Sequence, residues 1–496
     1  MLRHCNLMIT VLLVALCFVA YAMHNNYRRN ASLISISSNI NSKTLWPNSI
    51  NRSVLSHFSD QVSVLDYCDP SQINGSTDNA ICIQAAQNAI CSGRDGKTSG
   101  GELYFPTGAY VIRSKTVTQP CPGIHWRGQG YGNFYTPEEY KYGSGALIIC
   151  QTGDKDCLFW NGGVKANYAA GGGIDNININ AEGMNSGAVI HTQFLDHFTA
   201  RDLHVQAPKI FYFQEAGSNT VLQDININGY RDLAGTRGLI ALDSYNGVHC
   251  NYLNSDQGNS CRQDRTMLRN IGAGPREKQT GGSGLSITNF VQTVIQTDLN
   301  LIGNFDTVSA ECSQAVDLRS CPDFIRITRV EAEQCIHTCL NTNDVSDIWV
   351  LDSYFNGNDA SGASANLVSI SCSNFCTASD KTAWGFWMKG TRINNAQASC
   401  VKIGIPGFNL IGNTIFGCNM AKGSNARPSK ETVAIQIENH TEVDRDKGNG
   451  IISDNMLGGS YGKSQTVMDG IFFDKYLKTI VSNNSTSWTR SGIVNN

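Results

Sequence analysis

Charged side chains make up only 16% of the 496 residues, and proline contributes just 11. Helices draw on Ala, Leu, Glu and Lys. Their scarcity, with 48 glycines and a middle crowded with Asn, Ser, Thr, Ile and Val, points to turn-rich β structure instead. No long heptad pattern is present. An excess of positive charge is also missing, since the formal net charge is −3 and the pI about 6.4. A basic face that releases counterions is therefore not evident, and nucleic acid is not an expected partner.

A membrane-spanning run is lacking too, because the apolar stretch 7–20 falls short of the roughly 18–20 residues needed to cross a bilayer. It follows Met1-Leu2-Arg3-His4 and leads into Ala20-Tyr21-Ala22, an A-x-A cleavage pattern. Residues 1–22 thus read as a signal peptide, with an uncleaved anchor as the alternative. The expected product is secreted and extracellular, with no membrane attachment after cleavage. Of the 18 cysteines, Cys5 and Cys17 fall in this segment and 16 remain, an even number in a chain bound for an oxidising compartment. Disulfides are the reading, and near neighbours such as Cys82 with Cys91, Cys250 with Cys261, Cys312 with Cys321 and Cys372 with Cys376 suggest short closed loops. The tight Cys-x2-Cys pairs of structural zinc sites are absent. Asn30, Asn51, Asn74, Asn439, Asn483 and Asn484 stand in glycan-acceptor triplets.

Residues 23–58 are polar and without periodicity, a linker. Beyond them a short strand, a turn-rich loop and Ile81, Ala85, Ala86 and Ile90 at helical spacing lead into "GGELYFPTGAYVI", two strands around the turn Pro106-Thr107-Gly108. From residue 170 apolar-x-apolar strands recur at Ile177, Leu203, Ile225, Leu299, Ile325, Ile348 and Phe386, separated by 26, 22, 74, 26, 23 and 38 residues. We read 74 as three turns of a repeat in the low to middle twenties and 38 as one turn with an insertion. Asn or Asp precedes most of these strands: Asn176, Asp202, Asp224, Asp298 and Asp347. Such a spacing is too short for βαβ crossovers. It fits three short strands per turn of a solenoid, stacked so that alternate Ile, Leu and Val are buried. The expected fold is an all-β, right-handed, single-stranded parallel β-helix over 59–485, followed by a tail at 486–496. A β-propeller would need blades of about 40–45 residues and more hairpin turns.

The opening block, "VLDYCDPSQINGSTDNAICIQAAQNAI" with "GGELYFPTGAYVI" and "IHWRGQGYG", resembles the first segment of pectate-lyase-superfamily β-helix proteins, the group that includes phage tailspike depolymerases and glycoside-hydrolase-28-related proteins. The matching positions are Asp66, Gly75, Asp78, Gln84, Ala85, Gly100, Gly101, Leu103, Phe105, Pro106, Gly108, Tyr110 and Ile112. The resemblance covers about 70 residues and implies an N-terminal capping helix, a solenoid and binding or cleavage of a polysaccharide. Specific reaction motifs of that group do not recur. Only "NTND" at 341–344 echoes the polygalacturonases, and the calcium-dependent lyase motifs are missing.

Hydrolysis of a glycosidic bond takes two carboxylates about 5–5.5 Å apart for retention or about 6.5–9.5 Å for inversion. Coils stacked about 4.8 Å apart bring acids at similar registers into that range. Asp298, Glu331, Glu333 and Asp352 are such a set and are the candidate catalytic residues. Arg329 and Asp352 stand two residues past Ile327 and Val350, so neighbouring coils would pair them. That pairing suits either a structural ion pair or the base and charge-neutralising partner of a lyase acting on a uronic acid. The bland readings are that Asp before a strand forms a turn and that exposed Glu is solvated. Trp387, placed outward by alternation in "AWGFWMKG", is a candidate sugar platform. His191, His197 and His204, at spacings of 6 and 7, share no strand face and read as ordinary histidines. No cofactor is expected, with calcium implied only for a lyase. The function these observations favour is a secreted hydrolase or lyase acting on an acidic or heteropolymeric glycan, with insertions at about 231–295, 306–322, 357–383 and 417–448 walling a groove. A silent glycan-binding or surface structural β-helix is the alternative, and an epimerase shares the first step of a lyase.

Overall fold

The computed structural model describes residues 61–92, 100–130, 145–162, 169–244, 263–289, 291–304, 306–312, 321–357, 366–373, 385–418, 433–438, 450–458, 469–473, 479–487 and 493–495, with the dipeptides 41–42 and 52–53. Two compact units are present, Met1–Val62 and Ser63–Asn496. What is described of the first is an antiparallel pair, Asn41–Ser42 with Arg52–Ser53. The expected signal peptide and nearly all of the expected linker lie outside the described residues.

The second unit is the parallel β-helix that the repeats imply. Each coil contributes one strand to each of three parallel sheets. Sheet 1 begins with Gln61–Ser63, Gly101–Phe105 and Ile124–Gly128, sheet 2 with Asn74–Asp78, Gly108–Ile112 and Ala146–Cys150, and sheet 3 with Val117–Thr118 and Leu158–Asn161. Registers are kept coil after coil. On sheet 3, Leu158 stacks under Ile190, then Tyr212, Ile240, Leu285, Val308 and Leu340, all buried. Each such side chain contributes about 1.5–3 kcal/mol by leaving water. Aromatic rings stack inside as well, with Trp126 between Phe105 and Trp160, and Phe198 beyond Trp160. Sheet 3 runs on to Ile493–Asn495, past the expected end of the solenoid at 485.

The registers revise the repeat count. Ile225 pairs with Ile271 and Ile271 with Leu299, so the interval of 74 residues holds two coils rather than three. Leu299 pairs with Val330, not with Ile325. The apolar-x-apolar series begins on sheet 2 with Ile177 and crosses to sheet 1 at Ile325, because both sheets present the same local pattern.

Between sheets 1 and 2 the chain turns on one residue in the left-handed region. Asn176, Asp202, Asp224, Asn270, Asp298, Arg329, Asp352, Asp454 and Asn483 hold φ between 48° and 58°. Asn and Asp tolerate this conformation because their short side chains bond locally, which explains the Asn/Asp before each strand. In the later coils a second corner position turns inward and forms a ladder. The Asn413 amide and side chain both donate to Asn455 Oδ1 at 2.9 Å, and Asn455 donates in the same way to Asn484.

The helix Ala80–Ser92 stands where the sequence placed one and packs against Gly101–Phe105 and Val117–Thr118. Its buried face is Ile83, Ala86, Gln87 and Ile90, whereas Ile81 is 69% exposed. Asp78, a position of the family-like block, accepts the amides of Ala80, Arg113 and Ser114, tying the helix start to the end of the second strand. Disulfides join Cys68–Cys82, Cys91–Cys121, Cys150–Cys157, Cys312–Cys321, Cys335–Cys339 and Cys400–Cys418. Cys82 and Cys91, though neighbours in sequence, take other partners. Cys312–Cys321 closes the base of the 313–320 insertion as a short-range pair. Cys250, Cys261 and Cys376 lie outside the described residues. Among the described residues no helix is long and apolar enough to cross a membrane.

The ladder gives a direct test. Asn455→Ala strands the Asn413 amide in the core, at about 1–3 kcal/mol, and takes one of the two acceptors of the Asn413 side chain, which keeps Met388. A clearly lowered melting temperature by circular dichroism is expected. An unchanged one would show that the ladder is not what holds these coils in register.

Candidate active site

The single-residue corner leaves no room for insertions between sheets 1 and 2. Longer connections enter and leave sheet 3, among them 231–239, 244–262 and 312–322. The most unusual side chains among the described residues lie on the outer face of sheet 3.

Strict alternation decides which these are. In Ile210–Tyr230, Tyr212 and Gln214 point into the core and Phe213 and Glu215 point out. In Ile240–Asp243, Ile240 and Leu242 point in and Ala241 and Asp243 point out. The register sets Glu215 directly opposite Asp243 on the next coil. Two acids face to face across about 4.8 Å repel unless something intervenes. Arg237 does so: its Nη1 lies 3.6 Å from Glu215 Oε1 and 3.7 Å from Asp243 Oδ2. The oxygens facing it are thus at most about 7 Å apart, within the span over which carboxylate pairs cleave glycosides. The guanidinium rests over the Phe213 ring at 4.3 Å.

Remaining contacts separate the two acids. Gln193 Nε2 donates to Glu215 Oε2 at 2.9 Å, and His191 Nε2 stands 3.4 Å from the same oxygen. His191 Nδ1 meets Asp156 Oδ2 at 2.8 Å, and Asp156 also accepts the Ala188 amide. Phe159 and Phe213 sandwich the imidazole at 4.7 Å on either side. Burial alone would lower the His191 pKa, but bonding to Asp156 and the proximity of Glu215 outweigh it and hold it raised. Burial would likewise raise Glu215, yet His191, Gln193 and Arg237 together hold it below the ordinary glutamate range. Asp243 goes the other way. Its desolvation prevails over the lowering contacts from Asn289, Thr288, the Ser244 amide and Arg237, and its pKa is raised. Glu215 and Asp243 are 8% and 16% exposed, whereas Arg237 is 54% exposed and forms the outer layer. A buried carboxylate held below its ordinary pKa beside one pushed above it is the order expected of a base or nucleophile next to an acid.

The residues singled out from sequence lie elsewhere. Asp298, Arg329 and Asp352 are corner residues between sheets 1 and 2. Arg329 is in register with Asp352 as expected, but its bidentate partner is Asp298, at 2.6 and 3.0 Å on the exposed surface. That bond lowers the Asp298 pKa and raises that of Arg329, as in a structural ion pair. Glu331 and Glu333 point out from sheet 2 and are brought together. Glu331 is raised by partial burial and by Glu333, and it accepts from Asn300 at 3.0 Å. Trp387 lies on the outer face of sheet 1. It stacks on Trp349 at 4.6 Å, with Arg326 covering the other face of Trp349 at 4.3 Å. Of the three histidines, only His191 belongs to the carboxylate cluster; His197 pairs with Asp196 on the surface, and His204 is buried on sheet 2. Among the described residues no group of three or more His, Cys, Asp or Glu is placed to hold a metal ion.

Sequence reasoning missed Glu215 and Asp243. The signal was "YFQE" and "IALD", apolar strands in which alternation sends the closing acid outward. The irregular spacing created by segment 231–239 hid their common register.

No family model and no curated protein matches the chain. Among solved structures it is similar to the A-module of the mannuronan C-5 epimerase AlgE4 of Azotobacter vinelandii, at 13% identity over 88% of this chain and 97% of that one, with a TM-score of 0.53. Tailspike protein 3 of bacteriophage CBA120 matches at 13% identity over 96% and 68%, with a TM-score of 0.50. The catalytic domain of Agl-KA matches at 13% identity over 89% and 70%, also with a TM-score of 0.50. The likeness is one of fold, and the chain has the parallel β-helix fold of pectate-lyase-like and tailspike-like proteins.

Proposed function

We propose that the protein is a secreted glycoside hydrolase that cleaves a polysaccharide lying along sheet 3, with Asp243 as proton donor and Glu215 as its ionised partner. The observation that carries this reading is the in-register pair on adjacent coils beneath one guanidinium, with the pKa of Glu215 lowered and that of Asp243 raised. Asp243 passes its proton to the glycosidic oxygen as the bond to the anomeric carbon breaks. Glu215 either attacks that carbon or takes a proton from the water that does, and the carboxylate separation admits both routes. Similarity to a module named for a mannuronan epimerase supports a polymeric carbohydrate as substrate. The disulfides support work in an oxidising compartment.

Glu215→Gln and Asp243→Asn keep shape and remove the chemistry, so each is expected to lower the release of reducing ends from a glycan panel by about 100-fold or more. Glu333→Gln and Asp352→Asn are expected to retain activity. Full activity in both sheet 3 variants, with loss in the other two, would move the centre to sheet 2 and its corner. Unsaturated uronide absorbance would replace hydrolysis with a lyase, and binding without any product would make the protein an adhesin.

Cleavage should follow a bell in pH. Its acid limb belongs to Glu215, below the ordinary value of 4.5, and its alkaline limb to Asp243, above the ordinary value of 3.8. Arg237→Leu removes a cation that lowers both carboxyls, so both limbs should move to higher pH. Limbs that stay in place would separate Arg237 from the reacting pair.

A further inference from the structure

Resting on that reading of the carboxylate pair, we infer that the face of Phe213 covered by Arg237 is the platform for the pyranose ring at the scissile bond, and that the guanidinium is a plug this ring displaces. The outward column on sheet 3 runs through Phe159, His191, Phe213 and Ala241 on four successive coils. Its first three members are rings stacked at 4.7 Å, and the fourth is a methyl group. Arg237 takes the place a fourth ring would hold, with Cζ 4.3 Å from the Phe213 centroid, close to the coil spacing of about 4.8 Å. The guanidinium caps the aromatic face through its charge. A pyranose presents an apolar C–H face to the same surface. A ring in that place lies between the two acids, since Arg237 Nη1 is 3.6 Å from Glu215 and 3.7 Å from Asp243.

Arg237 is held firmly at its root and loosely at its head. Thr236 Oγ1 donates to the Leu233 carbonyl at 2.7 Å and accepts the Gly238 amide at 3.2 Å, and the Leu239 amide donates to the Ser283 carbonyl at 2.8 Å. At the other end neither acid contact reaches hydrogen-bond distance. The side chain is 54% exposed above carboxyls that are 8% and 16% exposed. Swinging it outward uncovers the pair without opening segment 231–239. Its departure also readies the acid. Glu215 keeps the His191 imidazole at 3.4 Å and the Gln193 amide, whereas Asp243 keeps only the neutral Asn289, Thr288 and Ser244 amide among the contacts that lower it. The rival role for Arg237, a receptor for a uronate carboxylate, would gather a third carboxyl around a guanidinium that two already face.

The test uses the full chain carrying Glu215→Gln, which binds without cleaving, in affinity electrophoresis through xylan, a soluble glucan, polygalacturonate or alginate. On the polymer that retards it best, adding Arg237→Ala is expected to give the same retardation at a polymer concentration at least fivefold lower. Adding Phe213→Leu is expected to require at least tenfold more polymer, and Phe213→Tyr, which keeps the ring, to bind as the parent does. Should Phe213→Leu fail to fold, Arg237→Ala and a labelling experiment decide. Phenylglyoxal modifies accessible arginines, and mass spectrometry is expected to find Arg237 labelled at least twofold faster with the polymer bound, because the displaced head stands in solvent. Equal or slower labelling overturns the inference. So do unchanged or weaker binding by the Arg237→Ala variant, unchanged binding by a folded Phe213→Leu variant, and failure of every polymer to bind. The hydrolase reading fails separately: wild-type protein that releases no reducing ends refutes hydrolysis, and tighter binding by the Arg237→Ala variant then leaves the platform standing. Cleavage by the wild type with unchanged binding in the Phe213→Leu variant refutes the platform and leaves hydrolysis.

Discussion

Hydrogen bonding from coil to coil in fixed register is the constraint on which the rest of this molecule depends. Each residue sits about 4.8 Å from its counterparts above and below, so every position inherits a column rather than an isolated environment. Apolar columns such as Ile240-Leu285-Val308 stack like on like and build the core. Asn413, Asn455 and Asn484 form a polar column inside that satisfies itself by handing hydrogen bonds upward. Like charges are what a column accommodates worst. Glu215 over Asp243 breaks that rule: Arg237 eases the repulsion from between them, His191 and Gln193 lower the Glu215 pKa, and desolvation raises that of Asp243. A local violation of the packing logic, surrounded by compensating contacts, is where function is expected.

Register also explains why the site lies on sheet 3. The corner between sheets 1 and 2 is one left-handed residue in coil after coil, and an insertion there would drive apart strands that must stay continuous. The other two corners carry the variable segments, and sheet 3 lies between them. The same corner accounts for Asp298, Arg329 and Asp352. Their repetition, which suggested a catalytic row, comes from a backbone conformation that Asp and Asn adopt readily. Arg329 is the exception in that column, and its guanidinium is held by Asp298.

Much of the fold was legible in the chain because column logic writes itself into sequence as alternation. The helix after Asp78 and the strands around Pro106-Thr107-Gly108 sit where the sequence placed them, although the buried face of the helix is Ile83 and Ala86 and not Ile81. The coil count misled because sheets 1 and 2 carry the same apolar-x-apolar signature, so a series that begins on one continues on the other. The site was less legible still. Glu215 and Asp243 are brought into register by pairing across segment 231–239, and their opposite shifts arise from desolvation at Asp243 and from His191 and Gln193 at Glu215. These contacts are made between coils, and linear spacing does not encode them.

The two sides of the carboxylate pair differ in a way that separates rigidity from recognition. Toward the N-terminus the outward column is Phe159, His191 and Phe213, rings stacked at 4.7 Å that fix the imidazole between Asp156 and Glu215. The imidazole is presented to Glu215 by strands and ring packing, and sites built on regular elements hold their geometry more closely than sites built on loops. Beyond Ala241 the same column passes through the smaller Ser286, Ser309, Asn341 and Ser369 to Lys402, with no ring to continue the stack. The stacked rings thus act on the carboxylates from one side, and the packing changes on the other, with Arg237 over Phe213 at the boundary.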